Sequence, residues 1–184
     1  MTRTIYNTAT TLDGFIATED HSLAWLLSRQ IDADGPMSHQ EFEKRIGALV
    51  MGASSYRWIR EHDPQSWAYT VPAWVLTHRT DLEPYPGADI RITAADTREA
   101  LGALHAEMVA AAGDRDVWVV GGGDLAGQFA DAGLLDEVVV SIAPVTLGAG
   151  KPLLPRHVEL RRTEWAVNGE FVCVRYDVVE PETA

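Results

Sequence analysis

The chain has 184 residues, 46% of them hydrophobic and 23% charged, and a formal net charge of −12 at pH 7. This length and composition predict a single domain over residues 1–184, with a flexible tail at about 180–184. The negative charge argues against a nucleic-acid or anionic-membrane surface. The single cysteine, Cys173, excludes a disulfide framework and a zinc cluster. Without a signal-peptide pattern or an apolar run of membrane-spanning length, we expect a cytoplasmic protein.

The first half of the sequence alternates between strand and helix patterns. Ser38 and Glu41 have the spacing of a capping box. A helix is therefore predicted to begin there, with Phe42, Ile46 and Leu49 on its apolar side. The predicted elements of this half are a strand at 3–9, a turn at 13–14, an apolar segment at 15–17, a helical turn or lid at 23–27, a loop at 32–36, a strand at 48–51 and a helix at 53–61.

The second half continues this alternation and ends in two strands. Apolar residues recur at helical spacing after Asp96, and Gly113 follows as a helix stop. Asn168 and Gly169 are a hairpin turn signal. The predicted elements of this half are strands at 71–77 and 89–93, a helix from 96, a strand at 117–120, a helix to about 132, a strand at 137–143 and a hairpin of 164–167 with 171–178.

The order of the elements predicts the fold class. Strands that alternate with helices form a largely parallel sheet covered on both faces, and the closing hairpin adds antiparallel strands at one edge. We therefore expect an α/β fold, a three-layer α/β/α sandwich.

Three strand ends have residues suited to binding an anion. Residues 121–123 are three glycines between a strand and a helix, which leaves backbone N–H groups and the positive end of the helix dipole open. Residues 51–56 repeat this arrangement with hydroxyl groups, and residues 77–79 add a hydroxyl and two cationic side chains. The carboxyl ends of parallel strands meet at one edge of a sheet, where open α/β folds bind ligands. A Rossmann fingerprint after the first strand and a P-loop are both missing from the sequence.

Five segments in a fixed order resemble one known family. Residues 11–17, Thr-Leu-Asp-Gly-Phe-Ile-Ala, resemble its first strand and turn, and residues 23–25 its tryptophan loop. Met51 and Gly52 with Tyr56 resemble its Met-Gly-Arg-x-Thr-Trp/Tyr motif, and residues 120–123 its Ile/Val-Gly-Gly-Gly turn. The loop at 142–150 is typical of one branch. The sequence thus resembles the dihydrofolate reductase superfamily, in particular the branch similar to the riboflavin-biosynthesis reductase domain.

This resemblance implies an NADPH-dependent reductase that passes a hydride to a pterin-like or (ribosylamino)pyrimidine-like substrate. The implied cofactor-binding residues are Ala9, Ile16, Gly52, Ser54, Ser55, Thr77, His78, Arg79, Gly121, Gly122, Gly123, Asp124 and Leu125. One departure concerns the 2′-phosphate, because the arginine of the Met-Gly motif is Ala53 here. Arg79 would then supply the positive charge, unless it is a solvated strand-end residue, and NADH remains open as the cofactor.

The resemblance does not fix the proton donor. Folate-reducing relatives have a carboxylate after the tryptophan loop, and the nearest ones here, Asp32 and Asp34, are equally consistent with ordinary turn residues. Ser141 matches a hydroxyl position that faces the substrate in those relatives. Further substrate-contacting candidates, which are alternatively core or solvated residues, are Trp25, Tyr56, Trp58 and Lys151.

The resemblance leaves two classes of function. The first is a homodimeric enzyme that acts on a small molecule, without a metal, since the six histidines show no metal-binding spacing and hydride transfer requires none. The second is a non-catalytic dinucleotide-binding or sensor module with the same fold.

Overall fold

The computed structural model describes residues 1–179, so the tail predicted at 180–184 lies outside the described residues. The described chain forms ten strands and five helices. The strands are β1 (Thr4–Thr11), β2 (Phe15–Ala17), β3 (Ile46–Gly52), β4 (Ala73–Leu76), β5 (Ile90–Thr93), β6 (Asp116–Gly121), β7 (Glu137–Ala143), β8 (Lys151–Pro152), β9 (Leu160–Asn168) and β10 (Phe171–Val178). The helices are α1 (Ala24–Leu27), α2 (His39–Glu43), α3 (Ala53–His62), α4 (Arg98–Ala112) and α5 (Gly123–Asp131).

Eight strands form one sheet in the order β5-β4-β3-β6-β1-β7-β10-β9. The neighbours from β5 to β7 are parallel, whereas β10 runs antiparallel to both β7 and β9. Parallel neighbours need crossover connections, and helices in these connections cover the sheet. The prediction of a mostly parallel sheet with an antiparallel hairpin at one edge is confirmed.

Helices pack on both faces of the sheet, as the alternating side chains of β3 illustrate. Ala48 and Val50 lie in the core cluster that includes residues of α4 and α5. Leu49 and Met51 lie in the opposite cluster, which includes Tyr56 of α3. Successive side chains of a strand point to opposite faces, so a strand buried on both faces is a continuous apolar run in the sequence. Within residues 1–179, no helix has the length and hydropathy to cross a membrane.

The helix predicted from the capping box is shorter than its apolar spacing suggested. The Ser38 hydroxyl does cap α2, accepting a hydrogen bond from the backbone N–H of Glu41 at 3.3 Å. The helix nevertheless ends at Glu43, and Ile46 and Leu49 belong to β3. The ladder between β3 and β6 begins at Ile46, and this buried pairing outweighs the local helical pattern, since tertiary contacts override propensity.

The closing hairpin is longer than predicted, and its turn lies one position further along the chain. β9 begins at Leu160 rather than at residue 164. Asn168, predicted in the turn, is the last residue of β9 and is 1% exposed. Its side-chain amide donates hydrogen bonds to the carbonyl oxygens of Asp32 and Pro36 at 3.0 and 3.1 Å. The asparagine therefore anchors the loop at 32–36, and residues 169–170 form the turn.

A short antiparallel pair, β2 with β8, lies beside the main sheet. Near it, the Asp13 carboxylate accepts hydrogen bonds from the backbone N–H groups of Leu147 and Gly148 at 3.0 and 2.7 Å. It also accepts one from the Thr11 hydroxyl at 2.6 Å. The Thr11 hydroxyl and these N–H groups hold the pKa of the Asp13 carboxyl below its ordinary value. Asp13, predicted as a turn former, thus also ties its turn to the loop at 144–150.

Candidate functional site

The carboxyl ends of β3, β4, β5 and β6 open into one cleft of about 1190 Å³. These strands are parallel neighbours, so the residues that follow them reach the same edge of the sheet. The three strand ends singled out in the sequence contribute residues 52–55, 77–78 and 121–125 to the wall of the cleft. The end of β5 adds residues 94–98, which the sequence patterns did not single out.

Two helices point uncapped N-termini at this cleft. Gly52 precedes α3 and Gly122 precedes α5, and neither N-cap provides a side-chain hydrogen bond to the first turn. At the start of α4, by contrast, the Thr97 hydroxyl accepts a hydrogen bond from the Ala100 N–H at 3.1 Å. The first N–H groups of a helix require partners, and an anion between α3 and α5 would provide them from both sides.

The glycines of the 121–123 turn have different roles. A Cβ atom on Gly123 would overlap the backbone carbonyl oxygens of Pro152 and Leu153, so close packing against β8 requires glycine there. A Cβ on Gly122 would contact only Ile16, with its Cδ1 atom 3.8 Å away. Gly121 has a φ of +150°, a conformation that favours glycine. Packing within the protein therefore does not require glycine at position 122. The missing side chain leaves open space in the cleft.

Most of the predicted cofactor-binding residues lie together at the cleft. Two do not line it. Ala9 is half-buried beside the Trp25 cluster, and Arg79 is exposed, with its guanidinium bound to both oxygens of Asp81 at 2.9 and 2.8 Å. Those that line it are Ile16, Gly52, Ser54, Ser55, Thr77, His78, Gly121, Gly122, Gly123, Asp124 and Leu125.

Arg156, next to the start of α5, is paired with two carboxylates. Arg156 contacts Asp124 at 2.9 Å and Asp131 at 2.8 Å. Hydrogen bonds from Gln128 and Arg156 lower the pKa of the Asp124 carboxyl. The carboxylate at the start of α5 is therefore ionised and turned toward Arg156.

Aromatic side chains line the other end of the cleft, near β1 and α2. The Trp118 ring packs edge-on against His39 and Tyr69, with centroids 5.2 and 5.6 Å apart. Its indole N–H donates to the carbonyl oxygen of Asn7 at 3.1 Å, which fixes the ring orientation. Trp58 also lines the cleft. Burial raises the pKa of the Tyr69 hydroxyl to about 12, so this hydroxyl stays protonated at neutral pH.

The remaining substrate and catalytic candidates are divided between the cleft and other regions. Lys151 lines the cleft with Trp58. Trp25 and Tyr56 are buried core residues, and the Tyr56 hydroxyl donates to the carbonyl oxygen of Glu83 at 2.7 Å. Three further candidates do not line the cleft: Ser141 lies 3.4 Å from the Cys173 sulfur, and Asp32 and Asp34 are exposed in the loop at 32–36.

The structure adds residues that the sequence did not reveal, above all His39 and Asp96. His39 was visible only as part of a capping box, and Asp96 only as a helix start. Their positions at the cleft depend on how α2 packs on Trp118 and how β5 pairs with β4. Both contacts join residues far apart in the chain, so neither produces a recognisable pattern among neighbouring residues of the sequence.

The sequence profile of the RibD C-terminal domain matches residues 3–174. This chain belongs to that family. The family assignment agrees with the resemblance to the riboflavin branch of the dihydrofolate reductase superfamily. The Bacillus subtilis protein YwjB, which is named as uncharacterized, is 27% identical over 177 residues, covering 95% of this chain and 97% of YwjB.

Solved structures confirm the fold of this RibD C-terminal domain. A putative riboflavin biosynthesis protein from Shewanella is 23% identical with a TM-score of 0.77, covering 97% of this chain and 99% of that one. A Thermotoga maritima diaminohydroxyphosphoribosylaminopyrimidine deaminase/5-amino-6-(5-phosphoribosylamino)uracil reductase is 15% identical with a TM-score of 0.66. The match covers 97% of this chain and 57% of that protein. At these identities the likeness shows the architecture alone.

Proposed function

We propose that this RibD C-terminal domain is a reductase that takes a hydride from a reduced nicotinamide dinucleotide. The acceptor is a C=N or sugar-imine carbon of a small planar heterocycle, pterin-like or (ribosylamino)pyrimidine-like. The observation that supports this best is that two uncapped helix N-termini and an aromatic wall share one cleft. The proposal includes NADPH, which the resemblance implies, and NADH, because both have the same pyrophosphate and nicotinamide.

The residues present fit a pyrophosphate between α3 and α5. The first residues of both helices line the cleft, and Lys151 adds a positive charge to its lining. The carboxylate of Asp124 is offset by Arg156 at 2.9 Å. The space beside Gly122 allows the backbone to approach a phosphate closely.

The aromatic end fits a planar substrate next to a nicotinamide ring. The reduced nicotinamide, when bound, supplies the hydride. Trp118 and Tyr69 provide flat apolar surface for a heterocycle, and Ile16 lines the same cleft next to Gly122. These side chains would orient the acceptor carbon and exclude water from it.

Reduction of a C=N bond also needs a proton on nitrogen, and we assign its delivery to His39. The imidazole lines the cleft against Trp118. Its Nε2 atom lies 3.1 Å from a carboxylate oxygen of Glu43, one helical turn further along α2. A carboxylate partner at this distance orients the imidazole ring. Tyr69, with its raised pKa, is a poor donor at neutral pH.

A fluorescence titration with NADH and with NADPH tests the proposal, because Trp58 and Trp118 line the cleft. We expect saturable quenching by at least one of the two dinucleotides. Gly122→Asp places a carboxylate against the pyrophosphate and should weaken binding by roughly 100-fold or more. Gly102→Asp is the matched control, since a Cβ at this position of α4 meets no atom within 4 Å.

Two results would contradict the proposal. One is a folded wild-type protein that binds neither dinucleotide. The other is a folded Gly122→Asp variant that binds as tightly as the wild type. Oxidation of the bound dinucleotide in the presence of a panel of cyclic imines and ribosylaminopyrimidines then separates the reductase from a non-catalytic dinucleotide-binding module.

A further inference from the structure

The order of the strands determines which part of the cleft would receive the adenosine. With the pyrophosphate between α3 and α5 and the nicotinamide toward β1 and Trp118, the other half of a dinucleotide extends past β3. In the sheet order β5-β4-β3-β6-β1 this direction leads to the carboxyl ends of β4 and β5. Thr77, His78 and residues 94–98 line the cleft there.

The basic side chains at this end are already held by other groups. The Nε2 atom of His78 lies 2.6 Å from a carboxylate oxygen of Asp96. Arg79 forms its two-bond contact with Asp81 and does not line the cleft. Arg98 points at the C-terminal end of α5 and donates to the carbonyl oxygen of Ala132 at 2.9 Å, where a cation complements the helix dipole.

A 2′-phosphate at this end would therefore meet the Asp96 carboxylate, while the basic side chains of His78 and Arg98 are already engaged with Asp96 and with the carbonyl oxygen of Ala132. It would carry about two negative charges next to Asp96, with alanine at position 53 in place of the arginine of the family motif. An unphosphorylated ribose suits this position instead, because its hydroxyl groups can donate hydrogen bonds to the Asp96 carboxylate. In the Rossmann fold, which this chain does not share, an acidic residue near the ribose binds the 2′-hydroxyl of NAD, whereas an arginine accommodates the phosphate of NADP, and the same charge argument applies to Asp96.

We infer that Asp96, oriented by His78, selects a dinucleotide with an unphosphorylated adenosine ribose, so that NADH rather than NADPH is the reductant of this chain. The inference rests on the proposed function and differs from the NADPH expected from the family resemblance. It makes Asp96 a specificity-determining residue at the end of the cleft opposite the chemistry.

Binding constants for NADH and NADPH test the inference without a substrate. We expect the wild type to bind NADH at least roughly tenfold more tightly, because the like charges of Asp96 and a 2′-phosphate repel each other even with the strong screening of bulk water. Asp96→Asn should bring the two affinities together or reverse their order, by tightening NADPH binding and weakening NADH binding. Asp89→Asn removes the same charge at the amino end of β5 and should leave the ratio unchanged.

A gain-of-function variant tests the same site independently. Ala53→Arg restores the arginine of the family motif at the start of α3 and should tighten NADPH binding by at least about tenfold, with little effect on NADH. Adenosine monophosphate and its 2′-phosphorylated analogue can each be tested for displacement of bound NADH. Because both contain only the adenosine half of a dinucleotide, this competition measures recognition at the adenosine end alone.

The outcomes distinguish this inference from the proposed function. If neither dinucleotide binds, the proposed function fails, and the inference fails with it. Equal affinities in the wild type, or tighter binding of NADPH, would overturn the inference alone. A NADPH preference that Arg79→Gln removes would assign the 2′-phosphate to Arg79, as the sequence suggested.

Discussion

His39 is the residue on which the proposed acid catalysis depends. With a substrate identified by the imine panel, we expect His39→Gln to lower kcat by about 10²- to 10⁴-fold, the usual contribution of a positioned general acid. The dissociation constant of the dinucleotide should change much less than kcat, because the imidazole does not lie at the starts of α3 or α5, where the pyrophosphate is proposed to bind. Single-turnover hydride transfer, measured by the loss of dihydronicotinamide absorbance, separates the chemical step from product release.

The matched variants are Asp32→Asn and Asp34→Asn, which change the two carboxylates predicted from the sequence. Both residues are exposed in the loop at 32–36 and do not line the cleft, so kcat should stay at the wild-type value. Loss of turnover in either aspartate variant, with normal turnover in His39→Gln, would return the proton donor to this loop.

Asp13 connects two elements, and its ionisation should be visible in the stability of the fold. Its pKa is held below the ordinary value of an aspartate by the Thr11 hydroxyl and two backbone N–H groups. A lowered folded-state pKa contributes stability that is present above the unfolded pKa and is lost as the pH falls through the folded value. Asp13→Asn should therefore have a lower Tm than the wild type at pH 7, and the difference should shrink below about pH 4.

Thermal unfolding monitored by circular dichroism across this pH range measures the difference. Glu107→Gln, which removes an exposed carboxylate from α4, is the control and should follow the wild type at every pH. A difference between Asp13→Asn and the wild type that is constant with pH would mean that the loop contact depends on shape and not on the charge.

The elements that the sequence predicted well are those defined by contacts close in the chain. The apolar spacing after Asp96 and the stop at Gly113 predict α4, which spans Arg98–Ala112. The strand-glycine-helix unit around Gly122 is equally local, and the structure places it at the cleft. Such features are recoverable because turn and cap chemistry acts within a few residues.

The elements that the sequence predicted poorly depend on distant partners. Ile46 fits a helix face by spacing, but its pairing with Asp116 places it in β3. Asn168 is a good turn residue, yet its amide is buried against a loop more than 130 positions earlier. The contact between His78 and Asp96 requires the register of β4 with β5. A single sequence shows which side chains are present, but it does not show which distant side chains are in contact.

At the scale of the whole molecule, the face formed by β9 and β10 differs from the rest of the surface. Trp165, Val167 and Val172 lie on one side of this pair and are 59%, 58% and 44% exposed. Residues 160–178 contain three arginines and three carboxylates, so this segment is neutral in a chain of net charge −12. β9 is also an edge strand of the sheet, and exposed edges promote association.

We propose that a second copy of the chain covers this face, as the homodimer expected from the sequence would require. Two copies with a strongly negative charge repel each other over most of their surfaces, and the neutral apolar hairpin is where a twofold contact avoids this repulsion. Sedimentation equilibrium should then give twice the chain mass of 20.2 kDa. Val167→Lys would place an unpartnered ammonium in the interface from both copies and should weaken the dimer about 100-fold or more. Glu107→Gln changes the net charge by the same amount on α4 and should leave the dimer intact. If Val167→Lys also remains a dimer, the contact between the two copies lies on another face.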